Sequence, residues 1–419
     1  MAELESKLAI LVTIAERTAD VEECERSLDE LERLLNTAGA TAYARVMQVR
    51  ESFDARTCIG RGKVKEISEL CRASEVDLVV FDFELSPMQI RNLEADIGDV
   101  TVIDRSMLIL DIFALHAVSG EGKLQVELAQ LKYSAPRLTG HGTELSRQGG
   151  GIGSRGPGET KLETDRRHLR ERVSTLEARL AELEHNRSVM RAARDRSGIT
   201  KIAIVGYTNA GKSTLLNRIT GADVLAENKL FATLDPTTRK FELPSGESVL
   251  FTDTVGFIRK LPHHLIKAFK STLDELKFSD ILLIVSDIND PEVPEHLKVT
   301  EEVIAELGAA DKPRLYVYNK CDATEDGENV YVGADGIKIS AKTGDGVDTL
   351  IEKITALIHE SKKEMTLLFP YGKESIISAI YKEYNVLSTD YIDEGTLVKV
   401  ILDERGQGLY SEYEFGGEG

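Results

Sequence analysis

The apolar run Lys201-Ile-Ala-Ile-Val-Gly206 leads directly into Tyr207-Thr-Asn-Ala-Gly211-Lys212-Ser213, and the amphipathic segment 214–219 follows. This order of strand, glycine loop and helix is the context in which the pattern GxxxxGK[ST] binds phosphate. The glycines let backbone N–H groups curl around phosphate oxygens, and the helix N-terminus adds partial positive charge. Lys212 is expected to bridge the β- and γ-phosphates, and Ser213 offers a hydroxyl to Mg²⁺.

Three further motifs follow, each at the end of a predicted strand. Asp253-Thr-Val-Gly256 provides a carboxylate that can hold Mg²⁺ through a water and a glycine N–H that senses a γ-phosphate. In Asn319-Lys-Cys-Asp322 the final carboxylate accepts hydrogen bonds from N1–H and the 2-amino group of guanine. Adenine lacks both donors, so we expect a preference for guanine of about tenfold to a hundredfold at least. Ser340-Ala-Lys342 completes the pocket, because its backbone reaches the guanine O6.

The four motifs together predict a GTP-binding domain. The residues expected to contact GTP or GDP are Gly206, Tyr207, Thr208, Asn209, Ala210, Gly211, Lys212, Ser213, Asp253, Thr254, Val255, Gly256, Asn319, Lys320, Cys321, Asp322, Ser340, Ala341 and Lys342. A Mg²⁺ ion also needs a threonine hydroxyl from an effector loop. Thr233, Thr237 and Thr238 are the candidates, and the residues alone do not decide among them.

The position after the DxxG glycine is unusual for a GTPase. Signalling GTPases carry a glutamine there that orients the attacking water, whereas this chain has Phe257. We therefore expect slow hydrolysis by the protein alone and activation by another component. Asn209 is one residue that could assist hydrolysis, because its amide oxygen is expected where a K⁺ ion would bridge the α- and γ-phosphates. The alternative is that Asn209 only caps the loop.

Composition limits the remaining possibilities. The 419 residues carry 52 Lys and Arg against 71 Asp and Glu, a net charge of −19, so any nucleic-acid binding must come from a local basic patch. The four cysteines lack metal-ligand or disulfide-framework spacing, the N-terminus is acidic, and apolar runs are only strand-length. We expect a soluble cytoplasmic protein without a membrane span, in the reducing cytosol, and a monomer.

The chain divides into four predicted parts. Residues 1–120 alternate strand and helix patterns and predict an N-terminal α/β domain, in which Gly60-Arg61-Gly62-Lys63 is expected to form a tight turn. Residues 121–197 predict a helical hairpin that carries a glycine-rich loop at 148–159. Residues 198–361 form the P-loop GTPase domain, and residues 362–419 form a small α+β unit. The fold class is therefore α/β.

The glycine-rich loop lies in the one basic part of the chain. Residues 132–172 contain nine Lys and Arg against five Asp and Glu. The loop also contains Gly151-Ile-Gly153-Ser-Arg-Gly156, which fits the dinucleotide pattern GxGxxG. It follows a helical pattern instead of a strand, and Pro157 interrupts the continuation. A loop that contacts nucleic acid or the GTPase switches is the better interpretation.

These motifs resemble the HflX family of GTPases. The resemblance is carried in the GTPase domain by GYTNAGKS at 206–213, FATLDPTTR at 231–239, DTVGFIRKLP at 253–262, NKCD at 319–322 and SAK at 340–342. Upstream it is carried by IGRGKV at 59–64, FELSPMQIRNLE at 83–94, VIDR at 102–105, ILDIFA at 109–114, QVELAQLKY at 125–133 and SRQGGGIGSRGPGETKLETDRR at 146–167.

The resemblance implies a GTPase that binds the large ribosomal subunit through its N-terminal and helical domains and splits or rescues stalled or idle ribosomes under stress. It also implies that the effector loop is Phe231, Ala232, Thr233, Leu234 and Asp235, which favours Thr233 as the Mg²⁺ ligand beside Ser213 and Asp253. Residues expected to act in hydrolysis are Lys212, Thr233, Gly256 and Asn209. Two other functions stay open: an RNA-binding assembly or storage factor that senses GTP, and a GTP-gated protein regulator that never touches RNA.

Overall fold

The computed structural model describes residues 6–136, 157–195, 199–221, 230–231, 234–260, 262, 265, 270–324, 332–333, 336–360, 363–402 and 404–416. Within them the chain forms three separate β-sheets of four, six and three strands. The α/β fold class predicted from the sequence is confirmed. The division at residues 120, 197 and 361 stays a prediction.

The first sheet is parallel, with strand order β2-β1-β3-β4. Helices connect its strands because parallel neighbours need a crossover. The elements are β1 (Leu8–Ala15), α1 (Val21–Thr37), β2 (Thr41–Val49), α2 (Arg61–Ser74), β3 (Leu78–Phe81), α3 (Pro87–Ile97), β4 (Thr101–Asp104) and α4 (Arg105–His116). Helix α3 begins with a capping box: the Ser86 hydroxyl accepts from Gln89 N, and Pro87 takes the first helical position.

Two helices follow the first sheet, α5 (Gly120–Ser134) and the 39-residue α6 (Pro157–Asp195). Ion pairs hold them side by side: Arg172–Glu127, Lys132–Glu177 and Arg187–Glu121. Leu176 of α6 is fully buried, which agrees with the heptad-like leucine spacing. Most of the glycine-rich loop, including its GxGxxG pattern, lies outside the described residues. Within the described part of the chain, no helix is both long and apolar enough to cross a membrane.

The second sheet has six strands in the order β10-β9-β8-β5-β7-β6, all parallel except β6 against β7. Its elements are β5 (Thr200–Gly206), α7 (Lys212–Thr220), β6 (Thr237–Glu242), β7 (Ser248–Asp253), α8 (Lys270–Lys277), β8 (Ile281–Asp287), α9 (Val293–Glu306), β9 (Arg314–Asn319), β10 (Ile337–Lys338) and α10 (Val347–Glu360). All four sequence motifs follow the carboxyl ends of its strands, where open α/β sheets bind ligands.

The third sheet is antiparallel, with order β11-β13-β12. It consists of β11 (Lys363–Phe369), α11 (Glu374–Glu383), β12 (Asn385–Ile392), β13 (Gly395–Leu402) and α12 (Glu404–Tyr410). A small core of its own, with Leu367, Phe369 and Val400 fully buried, packs between the sheet and its helices.

The largest hydrophobic cluster is shared by the first and second sheets. It joins residues of α1 and α4, such as Leu34 and Phe113, to Phe231 and Phe257 near the GTPase motifs. Phe113 and Phe231 meet edge to face with ring centroids 4.7 Å apart. The GTPase motifs are therefore packed against the N-terminal part of the chain.

Several local expectations need correction. Strands β2, β6 and β12 are not predicted from the sequence, because none of them contains a long uninterrupted apolar run. Gly60 is the N-cap of α2, so residues 60–63 begin a helix instead of forming a tight turn. Pro157 begins α6, so the glycine-rich loop ends there and not at residue 159.

A buried ionic network lies where the first sheet meets the GTPase motifs. The Arg105 side chain is 2% exposed, and its guanidinium pairs with Asp82 at 2.7 Å and with Glu30 at 3.3 Å. Burial acts to lower the pKa of Arg105, but the charges of Glu30 and Asp82 outweigh it and raise the pKa. Lys260 adds a second cation, with its Nζ 2.9 Å from Asp82.

We expect Arg105→Ala to lower the free energy of unfolding by about 3–5 kcal/mol, because it removes the buried cation that pairs with Glu30 and leaves Asp82 with Lys260 alone. The matched control is Arg45→Ala. Arg45 pairs with Asp29 and Glu32 on the surface, and we expect a cost below about 1 kcal/mol. Urea unfolding followed by circular dichroism measures both; equal losses would contradict the buried network.

Candidate nucleotide-binding site

The phosphate-binding loop runs from the end of β5 to the start of α7. Gly206 has φ of 143°, and a Cβ there would lie 2.1 Å from the Val285 carbonyl oxygen. Gly211 has φ of 92°, and its Cβ would lie 2.2 Å from the Asn319 amide nitrogen. Both positions therefore favour glycine, because a Cβ would clash with a neighbouring atom and because φ is positive.

Lys212 and two of the three predicted magnesium ligands, Ser213 and Asp253, lie at the base of this loop. The Lys212 Nζ donates to the Tyr207 carbonyl oxygen at 2.8 Å. Burial lowers the pKa of Lys212 to about 8, and the charge of Asp253 opposes that shift. The Ser213 hydroxyl donates to the Asp253 carboxylate at 2.6 Å. A hydroxyl and a buried carboxylate this close together are a donor set that fits Mg²⁺.

The DxxG segment packs directly on the phosphate-binding loop. Phe257 N donates to the Gly206 carbonyl at 3.1 Å, and Thr208 N donates to the Phe257 carbonyl at 2.8 Å. A Cβ on Gly256 would lie 2.8 Å from both Lys212 Nζ and Thr208 Cα, so only glycine fits. The Phe257 ring is 1% exposed and belongs to the cluster shared with the N-terminal sheet.

The predicted guanine end of the site is held together by side chains. The Asn319 amide donates to the Ala210 carbonyl at 2.8 Å and accepts from Ala341 N at 2.8 Å. The Ser340 hydroxyl donates to the Asp322 carboxylate at 2.6 Å. The structure therefore brings the NKCD and SAK motifs together and joins them to the phosphate-binding loop. Cys321 belongs to the first of these motifs and Lys342 to the second.

The predicted effector loop is placed differently from what was expected. Ala232 and Thr233 lie outside the described residues. Phe231 and Asp235 contact the N-terminal part of the chain: the Phe231 ring packs on Phe113, and the Asp235 carboxylate accepts from Val118 N at 3.0 Å and Ser119 N at 2.7 Å. Leu234 is buried in the same shared cluster.

The other two threonine candidates for Mg²⁺ are strand residues. Thr237 and Thr238 lie in β6 and pair with Asp253 and Thr252 of β7. The Thr238 hydroxyl is 2.9 Å from the Thr252 hydroxyl, so the two form a hydrogen bond within the sheet. The expectation that these residues lie in a loop is therefore wrong.

Sequence reasoning also missed the role of the Tyr207 side chain. Its hydroxyl contacts both Glu30 carboxylate oxygens at 2.9 Å and accepts from Arg259 N at 2.6 Å. Its ring stacks on His296 with centroids 3.7 Å apart. Burial, and then the Glu30 charge, raise the pKa of Tyr207, so the hydroxyl keeps its proton. Tyr207 thus joins the phosphate-binding loop to α1 and to the segment after DxxG.

A cavity of about 350 Å³ opens beside this junction. It is lined by Arg26 and Arg33 of α1, by residues 207–210 of the phosphate-binding loop, and by residues that follow β8. Asp290, Glu292 and His296 border it with possible ligand atoms within 4.8 Å of one another. Glu292 is already paired with Arg26 at 2.8 Å and Arg259 at 2.7 Å, so its charge is balanced without a metal.

Three family models match consecutive parts of the chain. Family models described as "GTP-binding GTPase N-terminal", "GTP-binding GTPase Middle Region" and "50S ribosome-binding GTPase" match residues 25–114, 116–194 and 201–320. A solved structure, the complex of SsGBP with GDP, is 27% identical with a TM-score of 0.46, covering 84% of this chain and 98% of that one.

Curated relatives extend the similarity to almost the whole chain. GTPase HflX of Lacrimispora saccharolytica is 49% identical over 394 residues, which are 94% of this chain and 93% of the relative. GTPase HflX of Caldanaerobacter subterraneus subsp. tengcongensis is 49% identical over 407 residues, which are 96% and 90% of the two chains. With its P-loop domain this protein is a GTP hydrolase, and the chain belongs to the HflX family of GTPases.

Proposed function

We propose that this GTPase acts on the large ribosomal subunit, which it contacts through its N-terminal and helical domains, and that it splits or rescues stalled or idle ribosomes under stress. The observation that carries the proposal is the match of residues 201–320 to the family described as a 50S ribosome-binding GTPase. The basic segment 132–172 supports it, because an otherwise acidic chain needs a local positive patch to approach RNA.

The proposed chemistry assigns one task to each residue of the site. Lys212 stabilises charge on the β- and γ-phosphates, and the Gly256 N–H binds the γ-phosphate. Ser213, Asp253 and Thr233 are proposed to hold Mg²⁺, which when bound neutralises the phosphate oxygens. The Ser213 hydroxyl and the Asp253 carboxylate lie side by side, 2.6 Å apart, which supports their acting on the same ion. Asp322 reads the guanine edge, and Ser340 holds its carboxylate in place.

Activation is part of the proposal because Phe257 provides no polar group to the attacking water. The Phe257 side chain is buried in the cluster shared with the N-terminal sheet. A large subunit that contacts the N-terminal part of the chain would therefore act on a surface that packs directly against the DxxG segment. We propose that hydrolysis is slow without the subunit because Phe257 does not orient the attacking water.

The first prediction concerns the ribosome. Purified large subunits should sediment with the protein in a non-hydrolysable GTP analogue more than in GDP, and should raise the GTPase rate at least about tenfold, as activating partners do for other GTPases. Lys212→Ala is the control, since it should remove turnover in both conditions.

Each alternative function has its own outcome in this experiment. Binding without acceleration would favour an RNA-binding factor that senses GTP. Absence of binding, with hydrolysis intact, would favour a regulator that acts on proteins alone.

The second prediction concerns base recognition. Asp322→Asn replaces a carboxylate that accepts two guanine hydrogen bonds by an amide that accepts on one side only, so GTP affinity should fall about 10- to 100-fold while ATP affinity stays low. Titration calorimetry measures both. Ser340→Ala is the matched control: it removes a hydrogen bond to Asp322 but leaves its charge, so its effect should be smaller. An unchanged preference for guanine in Asp322→Asn would refute the assignment.

The third prediction concerns K⁺. Asn209 has φ of 61° and borders the 350 Å³ cavity beside the phosphate-binding loop. We propose that its amide oxygen ligates K⁺, which supplies positive charge as an arginine finger does. Turnover in K⁺ should exceed turnover in Na⁺ about tenfold, and Asn209→Ala should abolish the difference. Equal rates in the two salts would leave Asn209 as a loop cap.

A further inference from the structure

The phosphate-binding loop contains a hydroxyl that no assigned role uses. Thr208 is 7% exposed, and its Oγ1 is buried without a hydrogen-bond partner among the residues that the structure describes. A buried hydroxyl left unpaired costs about 1–3 kcal/mol, so such a group needs an explanation. Thr208 also lines the 350 Å³ cavity.

The position of Thr208 is fixed by the DxxG segment. Its N–H donates to the carbonyl of Phe257, which occupies the glutamine position. A Cβ built on Gly256 would lie 2.8 Å from the Thr208 Cα and also 2.8 Å from its Cγ2. The Thr208 side chain is therefore in contact with the residue whose N–H is proposed to bind the γ-phosphate.

The Lys212 ammonium lies close to the same part of Gly256. Its Nζ is also 2.8 Å from the point where a Gly256 Cβ would stand, so at most twice that distance separates it from the Thr208 methyl carbon. The γ-phosphate must lie between the Lys212 ammonium and the Gly256 N–H if both bind it. The atom at this position is the Thr208 methyl carbon, and the hydroxyl is bonded to the same Cβ, which brings it near a water that approaches this phosphate.

We propose that the Thr208 hydroxyl binds and orients the attacking water, the task for which Phe257 has no polar group. The inference rests on the proposed roles of Lys212 and Gly256. A threonine hydroxyl accepts a hydrogen bond from one water O–H, and this directs a lone pair of the water oxygen at the γ-phosphorus.

Thr208 is not a base, so it takes no proton in this step. The water oxygen forms a bond to phosphorus, the bond from phosphorus to the β–γ bridging oxygen breaks, and its electron pair remains on GDP. The proton of the water passes to a γ-phosphate oxygen and from there to solvent. The products are GDP and inorganic phosphate.

Thr208→Val and Thr208→Ser test the proposal in the full chain. Valine keeps the shape and loses the hydroxyl, so kcat should fall about 10- to 100-fold while KM for GTP and the affinity for GDP change less than about twofold. Serine keeps the hydroxyl and should retain most of kcat. Trapping of GDP with aluminium fluoride, which mimics the attacked phosphate, should weaken in Thr208→Val while binding of a non-hydrolysable GTP analogue is unchanged.

Three results would overturn the proposal. A kcat in Thr208→Val within about twofold of the wild type would show that the hydroxyl is not used. Equal losses in the valine and serine variants, or a parallel loss of GTP affinity, would assign Thr208 to packing of the loop. If Lys212→Ala hydrolyses GTP as well as the wild type, the proposed nucleotide site is wrong. That result differs from one in which Lys212→Ala is inactive and Thr208→Val is fully active, which contradicts only the role of Thr208.

Discussion

The hydroxyl of Tyr207 is the contact on which the arrangement of this molecule depends. It belongs to the phosphate-binding loop, binds the Glu30 carboxylate of α1, and accepts the N–H of Arg259, three residues after the DxxG glycine. Arg105 donates to the Arg259 carbonyl from the other side at 3.1 Å. Buried charged groups require such partners, so the phosphate loop, the DxxG segment and the N-terminal sheet cannot shift independently without leaving a charge unpaired.

A second connection runs from the effector loop to the helical pair. The Asp235 carboxylate sits at the N-terminus of α5, where the backbone N–H groups and the helix dipole favour an anion. A Cβ at Gly122 would lie 2.4 Å from an Asp235 oxygen, so the first turn of α5 leaves space for this carboxylate. Both segments that surround a γ-phosphate in GTPases therefore end on the part of the chain proposed to contact the ribosome.

The nucleotide motifs could be located from the sequence because their strand, loop and helix context depends on local spacing. A glycine loop between an apolar strand and a helix, and NKCD at a strand end, leave few alternatives. Strands β2 and β6 were missed because they are edge strands without a long uninterrupted apolar run, and the alternating exposure along Thr41–Val49 fits such an edge position. The partners of Tyr207 and Asp235 could not be predicted, since they lie 177 and 116 residues away and no local pattern reports contacts at that range.

These long separations also affect how the chain is made. Domains fold as units, with the N-terminal one first as it leaves the translating machinery. Glu30, Asp82 and Arg105 are all synthesised before Tyr207 and Arg259, so the nascent first sheet has its acidic edge open to water for the time needed to add more than a hundred residues. The contacts of Tyr207 and Arg259 cover that edge in the finished structure, so the nucleotide site is complete only once both parts of the chain are made and docked.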